Sequence, residues 1–578
     1  MMLFRRKKSI PVHDISPDEI FLDARNIPQF DTNQFEGKIE KPIARRELFL
    51  FGLFLTCVGV LIVGRVFFLQ IMSGEQYASL AESNRLNHTL IFSQRGPIYD
   101  RNGLVLAWNE SQEATSSTAT TSDTDSETFS LRKYDPHLAL SHIVGYVRYP
   151  KMDPNGYYIQ NAITGVEGVE EMYDSLLAGE QGRKIVEQDA LGKRIAGSTI
   201  TKPKDGEPLR LTIDSRIQKE LYEYAQDLMD EKGFTGGAGI IMDVTTGEII
   251  ALVSIPGFDP NILSSGSDVQ AIAAYSADTQ NPFLNRAIGG RYTPGSIIKP
   301  FIAIGALAEK VITPEKQIFS DGSLRVPNPY NPDKPTVFKD WKAHGWVDMR
   351  QAIAVSSNVY FMTIGGGFGD QKGLGIENIG TYTRLFGIGT KTGIDISGEV
   401  DGLIPSIAWK QEHFPDDPWR VGDTYNTSIG QYGFQVTPLQ MVRGIAAIAN
   451  DGLLVVPHLR SDAGISPVDT IPIDSDVLAV VREGMRRGAT EGTAKALNVA
   501  YTEFAGKTGT AELGVSKERV NSWIEGFWPY ESPRYAFVMV MEHGPVTNLV
   551  GSASVMRRLF DWMHTNTPEY FDAEQRGL

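Results

Sequence analysis

The sequence predicts an α+β fold behind a single membrane-spanning helix, and three observations indicate it. Apolar strands joined by short turns occur near residue 240 and again near residue 530, and helix-like stretches fill the chain between them. Strands at both ends of a domain with helices between them are typical of one antiparallel sheet flanked by helices. An apolar run from Leu48 to Val63, continued by VFFLQIM, is long enough to cross a bilayer.

Bulk composition excludes several classes of function. The 578-residue chain is 42% apolar, which is ample for packed cores, and its net charge of -15 argues against a surface that binds nucleic acid. Its only cysteine is Cys57, so neither an intramolecular disulfide nor a cysteine-based zinc site is possible. The nine histidines form no His-Glu-x-x-His pattern, and we expect no metal and no other cofactor.

The apolar run also predicts where the chain lies. Residues 48–70 form the predicted anchor, and four basic residues precede it: Lys38, Lys41, Arg45 and Arg46. Positive charge is typical of the cytoplasmic flank, so we expect residues 1–47 in the cytoplasm and the chain after about residue 71 outside it. A buried helix of a soluble domain and a cleavable signal peptide are the alternatives. Against cleavage, the run is long and no clear small-x-small site follows it.

Two regions are predicted after the anchor. Residues 71–205 form a partly extended pedestal region, interrupted at residues 111–128 by SQEATSSTATTSDTDSET, a composition that predicts a flexible loop. Residues 206–565 form the larger domain, and residues 566–578 form a tail. The larger domain opens with helical apolar spacing from Ser215 to Met229, with Ser215 as the candidate N-cap.

Two hairpins define the predicted sheet of the larger domain. GAGIIMDV and GEIIALVS are joined through Thr245, Thr246 and Gly247, which is a hairpin pattern. NSWIEGFW and RYAFVMVME form a second hairpin around Pro529 to Pro533. Between the hairpins, FIAIGALAEK and TPLQMVRGIAAIAND are predicted helices.

The candidate nucleophile is Ser296, at the start of an apolar helix in RYTPGSIIKPFIAIGALAEK. Lys299 follows three residues later, on the same helical face, where its amine can reach the hydroxyl. A lysine serves as a base when burial and a second cation lower its pKa. Ser130 and Lys133 share this spacing, but they lie in the predicted polar linker, where nothing would desolvate the lysine.

Two further motifs follow in order within the same domain. Ser356-Ser357-Asn358 offers a hydroxyl that relays a proton and an amide that binds a peptide group, although it is also an ordinary polar helix turn. Lys507-Thr508-Gly509 continues into Thr510-Ala511-Glu512, which predicts a strand that presents a cation and hydroxyls to a carboxylate. The second Lys-Thr-Gly, at Lys391, lies in a glycine-rich turn and is predicted to be a loop. Neither a G-x-S-x-G elbow nor a nucleotide-binding loop occurs.

With these three motifs the sequence resembles the penicillin-binding proteins. RGPIYDRNGLVLA, GVEGVEEMYDSLLAGEQG, LTIDSRIQ and GDTYNTSIGQYGFQVTPLQM extend the resemblance over nearly everything from residue 60 to residue 545. GRYTPGSIIKP, DWKAHG and the single anchor resemble the monofunctional class B branch, in its elongation type. The family's larger head subdomain is replaced between Asn109 and Tyr134 by the short Ser/Thr-rich stretch.

The resemblance implies D,D-transpeptidation of peptidoglycan stem peptides ending in D-Ala-D-Ala. Ser296 would be acylated, Lys299 would accept its proton, and Ser356 would pass a proton to the departing D-alanine. Asn358 would orient the donor peptide, and Lys507 would lower the pKa of its neighbours. Thr508, Gly509 and Thr510 would bind the substrate, and the amides of Ser296 and Thr510 would hold the oxyanion.

The resemblance also implies partners and a compartment. We expect β-lactams as inhibitors, a SEDS-family glycosyltransferase of the RodA type as partner, and a single-pass location in the inner membrane with a periplasmic catalytic domain. A role in elongation and cell shape is expected. A division-type transpeptidase, a β-lactam sensor or hydrolase, and an inactive scaffold for a glycosyltransferase are the alternatives.

Overall fold

The computed structural model describes most of the chain after residue 44. The described residues are 45–75, 77, 86–111, 129–152, 158–188, 194–328, 331, 333–464 and 469–571. The predicted cytoplasmic tail up to residue 44, the predicted flexible loop from residue 112 and the tail from residue 572 lie outside them.

The predicted anchor is a helix. It begins at Arg45 and ends at Phe67, and a π-helical turn, Phe68–Met72, extends it. The 28 residues of Arg45–Met72 have a mean hydropathy of 2.3, and the most apolar stretch is wholly unburied. By length and composition, this is the one helix in the described part of the chain that is able to cross a membrane.

In its described residues, the pedestal region is built from short strands and three short helices. A four-stranded sheet runs in the order Leu209–Arg210, Ile98–Tyr99, Val105–Glu110 and Leu131–Tyr134. The other strands are Leu86–Ile91, Val147–Arg148, Lys151–Met152, Tyr158–Gln160, Thr164–Gly165, Gly182–Gln188 and Arg194–Thr201. The helices are Ser141–Val144, Gly168–Met172 and Asp174–Ala178, with a 3-10 turn at Leu138–Leu140.

A buried charge cluster joins this sheet to the pedestal helices. Glu170 is fully buried and receives hydrogen bonds from Nε of Arg95 at 2.5 Å and from Nε of Arg132 at 2.8 Å. Arg132 also donates to the carbonyl of Gly96 at 2.8 Å. Buried charges of this kind are tolerated because they are paired and hydrogen-bonded, and the cluster holds the RGPIYDRNG segment in place.

The larger domain is organised around a five-stranded sheet. The strand order is Ile249–Ile255, Gly236–Asp243, Tyr535–Pro545, Arg519–Trp528 and Ala505–Leu513. Every neighbouring pair is antiparallel. Both predicted hairpins are confirmed, and the strand Ala505–Leu513, which carries Lys507-Thr508-Gly509, lies at an edge of the sheet.

Helices cover both faces of this sheet. Ser215–Lys232 and Ser552–Asn566 pack on one face, where they share a core with Ile524 and Trp528. On the other face, Trp523 and Phe527 belong to a core that also contains residues of the remaining helices. The helices there and around them are Pro260–Ser265, Val269–Ala277, Arg286–Gly289, Lys299–Ala308, Met349–Val355, Asn358–Gly366, Ile376–Leu385, Ile407–His413, Val421–Ser428, Pro438–Ala449 and Ser475–Thr490.

Small two-stranded pairs and single turns complete the larger domain. The pairs are Ile318–Ser320 with Gly345–Val347, Ser323–Val326 with Thr336–Lys339, and Leu453–Leu454 with Asp469–Thr470. The 3-10 turns are Gly295–Ile298, Lys495–Leu497 and Pro568–Tyr570.

Local sequence explains the helix starts, with one correction. The helix Pro438–Ala449 is buried along its whole length and begins with a capping box of Thr437 and Gln440. The predicted helix at Ser215 is confirmed, but Asp214, not Ser215, is its N-cap and accepts from the Arg216 amide. Ser215 instead donates its hydroxyl to Asp100 at 2.7 Å, so the serine joins the helix to the pedestal.

Candidate active site

Ser296 lies on a tight turn that leads into the predicted helix. The turn Gly295–Ile298 is a 3-10 helix, and the α-helix begins only at Lys299, with Pro300 in its first turn. The prediction of an α-helix from Ser296 onward is therefore wrong by one turn. Ser296 is half-buried, whereas Lys299 is fully buried, so the turn directs the hydroxyl-bearing residue toward the surface and the lysine into the core.

Two glycines bring this turn against the edge strand. Gly295 has a φ of +57°, and a Cβ there would lie 2.8 Å from the carbonyl oxygen of Thr510. A Cβ on Gly509 would lie 2.9 Å from Cγ2 of Ile297 and 3.1 Å from the carbonyl oxygen of Pro294. Both positions require glycine because no side chain fits between the turn and the strand. This contact places Ser296 beside Thr510.

Lys299 is held by the Ser356-Ser357-Asn358 motif. Its Nζ donates to the carbonyl of Ser356 at 2.8 Å, to Oδ1 of Asn358 at 2.7 Å and to Oγ of Ser356 at 3.3 Å. These contacts hold the buried Lys299 amine at the N-terminal end of the helix that follows Ser296. Sequence reasoning named these three residues without pairing Lys299 with Ser356 or Asn358, and the structure joins them by hydrogen bonds.

Ser356 occupies an unusual backbone conformation between two helices. Met349–Val355 ends at Ser356, which has a φ of 60°, and Asn358–Gly366 begins after the N-cap Ser357. A left-handed serine costs of order 1–3 kcal/mol and persists only where the surroundings hold it. Here the strained turn aims the Ser356 hydroxyl at both site lysines.

The carboxylate of Asp340 holds the turn at Ser356 in place through hydrogen bonds. One oxygen of its carboxylate accepts from the Asn358 amide at 2.9 Å, and the other accepts from the Ser357 hydroxyl at 2.8 Å and the Val359 amide at 3.0 Å. Burial raises the pKa of Asp340, but these hydrogen bonds outweigh burial and keep the pKa below its usual value. Asp340 is therefore a fixed anion at the start of the Asn358 helix.

Lys507 reaches the same hydroxyl from the edge strand Ala505–Leu513. Its Nζ donates to Oγ of Ser356 at 2.8 Å and to the carbonyl of Thr508 at 2.7 Å. The predicted strand through Thr510-Ala511-Glu512 is confirmed. Four predicted residues, Lys299, Ser356, Asn358 and Lys507, are therefore joined in one hydrogen-bonded group.

The two lysines have perturbed pKa values for a shared reason. Burial, and after it the Lys507 charge, lowers the pKa of Lys299 well below its usual value, against the opposing effect of Asp340. Burial also lowers the pKa of Lys507 to about 7, and Glu525 opposes that shift. Two buried cations beside one hydroxyl are unfavourable. The arrangement therefore favours a state in which only one of the two lysine amines is protonated.

Hydroxyl groups line the exposed side of the strand. Thr508 donates to Oγ1 of Thr493 at 2.6 Å, and Thr510 is exposed. Thr493 lies at the end of the helix Ser475–Thr490, where its amide donates to the carbonyl of Ala354 at 3.1 Å. The chain thus offers three hydroxyls and an ammonium near one edge, a set suited to a carboxylate.

The two repeated motifs elsewhere in the chain have exposed lysines that lie outside the hydrogen-bonded group. Lys133 lies on the strand Leu131–Tyr134 and not in a polar linker, but its side chain is 39% exposed and its Nζ is 3.6 Å from Glu110. Lys391 is exposed in a loop, as predicted, and Thr392 next to it donates its amide and its hydroxyl to Glu399 at 2.6 and 2.7 Å. Neither lysine is desolvated.

Three residues near the site were missed by the sequence reasoning. Asp340 stands in DWKAHG, which contributed to the resemblance without a role, and Thr493 stands in EGTAKA, which carries no motif. Glu525 is a single acid within the apolar strand NSWIEGFW, and a buried acid in such a strand is a signal of function. Among the described residues, no group of three or more His, Cys, Asp or Glu is placed to hold a metal ion.

The chain is similar to known proteins over most of its length. Residues 237–561 match the penicillin-binding protein transpeptidase domain, and residues 116–211 match the penicillin-binding protein dimerisation domain. The peptidoglycan D,D-transpeptidase MrdA of Acinetobacter baumannii is 29% identical, over 91% of this chain and 88% of its own.

Two solved structures share the fold over nearly their whole length. Penicillin-binding protein 2 of Pseudomonas aeruginosa, in complex with WCK 5153, has a TM-score of 0.67 and 29% identity, over 85% of this chain and 100% of its own. Penicillin-binding protein 2 of Helicobacter pylori, in complex with MreC, has a TM-score of 0.68 and 27% identity, over 83% and 99%. The chain therefore belongs to the penicillin-binding protein transpeptidase family, and within it resembles the class B members of the penicillin-binding protein 2 type.

Proposed function

We propose that this chain is a peptidoglycan D,D-transpeptidase that works through a Ser296 acyl-enzyme. The observation that carries the proposal is the hydrogen-bonded group in which buried Lys299 and Lys507 both donate to the Ser356 hydroxyl. This group lies at the foot of the turn that presents Ser296 beside the edge strand. An activated serine of this kind needs an adjacent base and a proton relay, and in this proposal Lys299 is the base and Ser356 the relay.

In the first half-reaction, Oγ of Ser296 attacks the carbonyl carbon of the penultimate D-alanine. The hydroxyl proton passes to the amine of Lys299, and the resulting oxyanion is held by the amides of Ser296 and Thr510. The bond to the terminal D-alanine then breaks, and its nitrogen takes a proton through Ser356. Loss of one oxyanion donor in other enzymes costs about 10²–10³ in rate.

In the second half-reaction, an amine of a neighbouring stem peptide attacks the ester at Ser296. The acceptor nitrogen gives up a proton, Ser296 leaves and regains its own, and the new amide is the cross-link. Before the terminal D-alanine leaves in the first half-reaction, Asn358 orients the donor peptide, and Thr508 and Thr510 receive the terminal carboxylate beside Lys507. Gly509 leaves room at the strand because a larger residue would strike the Ser296 turn.

A peptide assay tests the proposed activity. Purified protein with a stem pentapeptide ending in D-Ala-D-Ala and an amine acceptor should release one D-alanine for each cross-link formed, as measured by mass spectrometry. Release of D-alanine with water as the only acceptor would instead favour a hydrolase. No release by wild-type protein that binds penicillin would favour a sensor or an inactive scaffold.

Location and domain division are part of the same proposal. The anchor helix would hold the protein in the cell membrane in a single pass, with residues 1–47 in the cytoplasm because basic residues precede the helix. The pedestal region at 71–205 and the transpeptidase domain at 206–565 would then both lie outside the cytoplasm. A role in elongation follows from the similarity to penicillin-binding protein 2.

We also propose a SEDS-family glycosyltransferase of the RodA type as partner. Cross-linking consumes glycan strands, and joining both active sites in one complex raises their effective concentration for successive steps. No residue of the anchor helix Arg45–Phe67 is buried, so its surface is available to lipid or to a partner helix.

Replacing residues 48–70 with an unrelated anchor should leave penicillin acylation unchanged but weaken co-purification with this partner by about tenfold or more. The reason is that the catalytic group lies wholly outside the anchor. An intact complex after the swap would place the contact in residues 71–205. A complex that survives the loss of both regions would contradict the partner proposal.

A further inference from the structure

Glu525 is a buried acid directly opposite Lys507 in the central sheet. The register of strands Ala505–Leu513 and Arg519–Trp528 pairs Glu525 with Lys507, and Val538 flanks Glu525 on the other side. The side chain is completely buried, and neither carboxyl oxygen has a hydrogen-bond partner among the described residues. Directly opposed residues of a sheet have Cβ atoms about 4.5–5.5 Å apart, so the acid lies within electrostatic reach of Lys507.

Packing gives no reason for an acid at this position. Trp523 and Phe527, two residues away on either side, belong to the apolar core on this face of the sheet. A carboxyl group buried there without hydrogen bonds is destabilising, and an apolar residue of similar size would avoid that cost. Burial raises the pKa of Glu525 well above its usual value, and the Lys507 charge opposes the rise. The carboxyl group therefore carries its negative charge only together with a protonated Lys507.

The need to protonate one site lysine and not the other gives a reason for an acid at this position. Lys299 and Lys507 both donate to Oγ of Ser356, at 3.3 and 2.8 Å, and both are buried. The base must be an uncharged amine, whereas a cation is needed where a carboxylate binds. The site therefore needs a feature that decides which lysine keeps the proton.

The charged groups around the lysines lie on different sides. Asp340 faces Lys299, but its oxygens are occupied by Asn358, Val359 and Ser357. His344 lies 3.5 Å from Asp340, and burial lowers its pKa, so it adds little positive charge near neutral pH. Glu525 faces Lys507 and has no other partner among the described residues.

We propose that Glu525 is a positioning residue that acts through Lys507, as the internal counter-charge that holds the proton on Lys507 and leaves Lys299 free to accept the proton of Ser296. The inference rests on the proposed function and extends it to a residue outside the three motifs. Because Lys507 and Glu525 are coupled, they titrate as a pair. An incoming substrate carboxylate then meets a cation that is already formed.

The pH dependence of acylation by a labelled penicillin tests this inference. In wild-type protein the rate should fall as the pH rises through the range in which Lys507 loses its proton. Glu525→Gln removes the negative charge, so Lys507 loses its proton at lower pH, and this basic limb should move down by about 1 pH unit or more. In a Lys507→Ala background, Glu525→Gln should have no further effect on the rate.

Two variants separate this effect from a structural one. Glu525→Leu suits the apolar surroundings and should raise the thermal midpoint while it shifts the basic limb as Glu525→Gln does. Glu542→Gln is the matched control, because Glu542 is buried in the same sheet and pairs with Arg286 at 2.8 Å. It should leave the pH profile in place whatever its effect on stability.

An unchanged pH profile in both Glu525 variants would overturn the inference and leave the proposed function standing. Wild-type protein that takes up no penicillin would contradict the proposed function itself, and the inference with it. The two failures are therefore distinguishable in one experiment.

Discussion

Replacing Ser296 with alanine should reduce acylation by a labelled penicillin by at least about 10³-fold. The turn Gly295–Ile298 presents this residue beside the edge strand, and Lys299 lies buried one turn further on. No other described serine begins a turn that leads into a buried lysine of this group. In-gel fluorescence after incubation with the labelled penicillin measures the effect.

Stability provides the control for this variant. Ser296 is half-buried, so the free energy of unfolding should stay within about 1 kcal/mol of wild type. Ser130→Ala is the matched variant and should keep full labelling, because Lys133 is 39% exposed and paired with Glu110. Full labelling of Ser296→Ala would end the proposed mechanism.

The two Lys-Thr-Gly sequences should differ sharply in their importance for acylation. Lys507→Ala should slow acylation by about 100-fold or more, because it removes the cation that donates to Ser356. Lys391→Ala should leave the rate within about threefold, because Lys391 is exposed in a loop that Glu399 holds through Thr392. Stopped-flow measurement of acylation rates compares the two.

Folding must be checked alongside these rates. Lys507 and Glu525 are both buried, and removing one partner of a buried pair is costly, so circular dichroism should establish that Lys507→Ala is folded before its rate is compared. A slow Lys391→Ala with a fast Lys507→Ala would mean that the substrate strand is wrongly placed.

Short-range sequence patterns correctly predicted the two hairpins and a buried helix. Apolar runs on either side of Thr245–Gly247 and of Pro529–Pro533 predicted the two hairpins, and the structure confirms both. The helix that contains TPLQMVRGIAAIA is also confirmed. These elements were predictable because their periodicity and their turn residues are local to the sequence.

Details that depend on distant residues were not predictable. Asp214, not Ser215, is the N-cap, and the Ser215 hydroxyl is bound by Asp100, which lies more than one hundred residues earlier in the chain. The turn at Ser296 is 3-10 and not α-helical, and it packs closely against Thr510 from the far end of the domain. Neither contact leaves a trace in the local sequence.

The sequence predicted the motif residues of the site but not the residues that hold or charge-balance them. Lys299, Ser356, Asn358 and Lys507 were named from sequence, and the structure joins them by hydrogen bonds. Asp340 and Glu525 were missed as functional residues, because their importance arises from partners that only the fold brings near. The lone acid in NSWIEGFW was visible, yet its meaning depends on the register that sets it opposite Lys507.

Mass mapping of the penicillin adduct tests the central claim most directly. Tryptic digestion of labelled wild-type protein should place the added mass of one penicillin on the peptide spanning residues 292–310, because the Lys299-Pro300 bond resists trypsin and the peptide contains Ser296. Fragmentation should assign the mass to Ser296. An adduct on Ser130, on Ser356 or on any other residue, with peptide 292–310 unmodified, would contradict the assignment of Ser296 as the nucleophile.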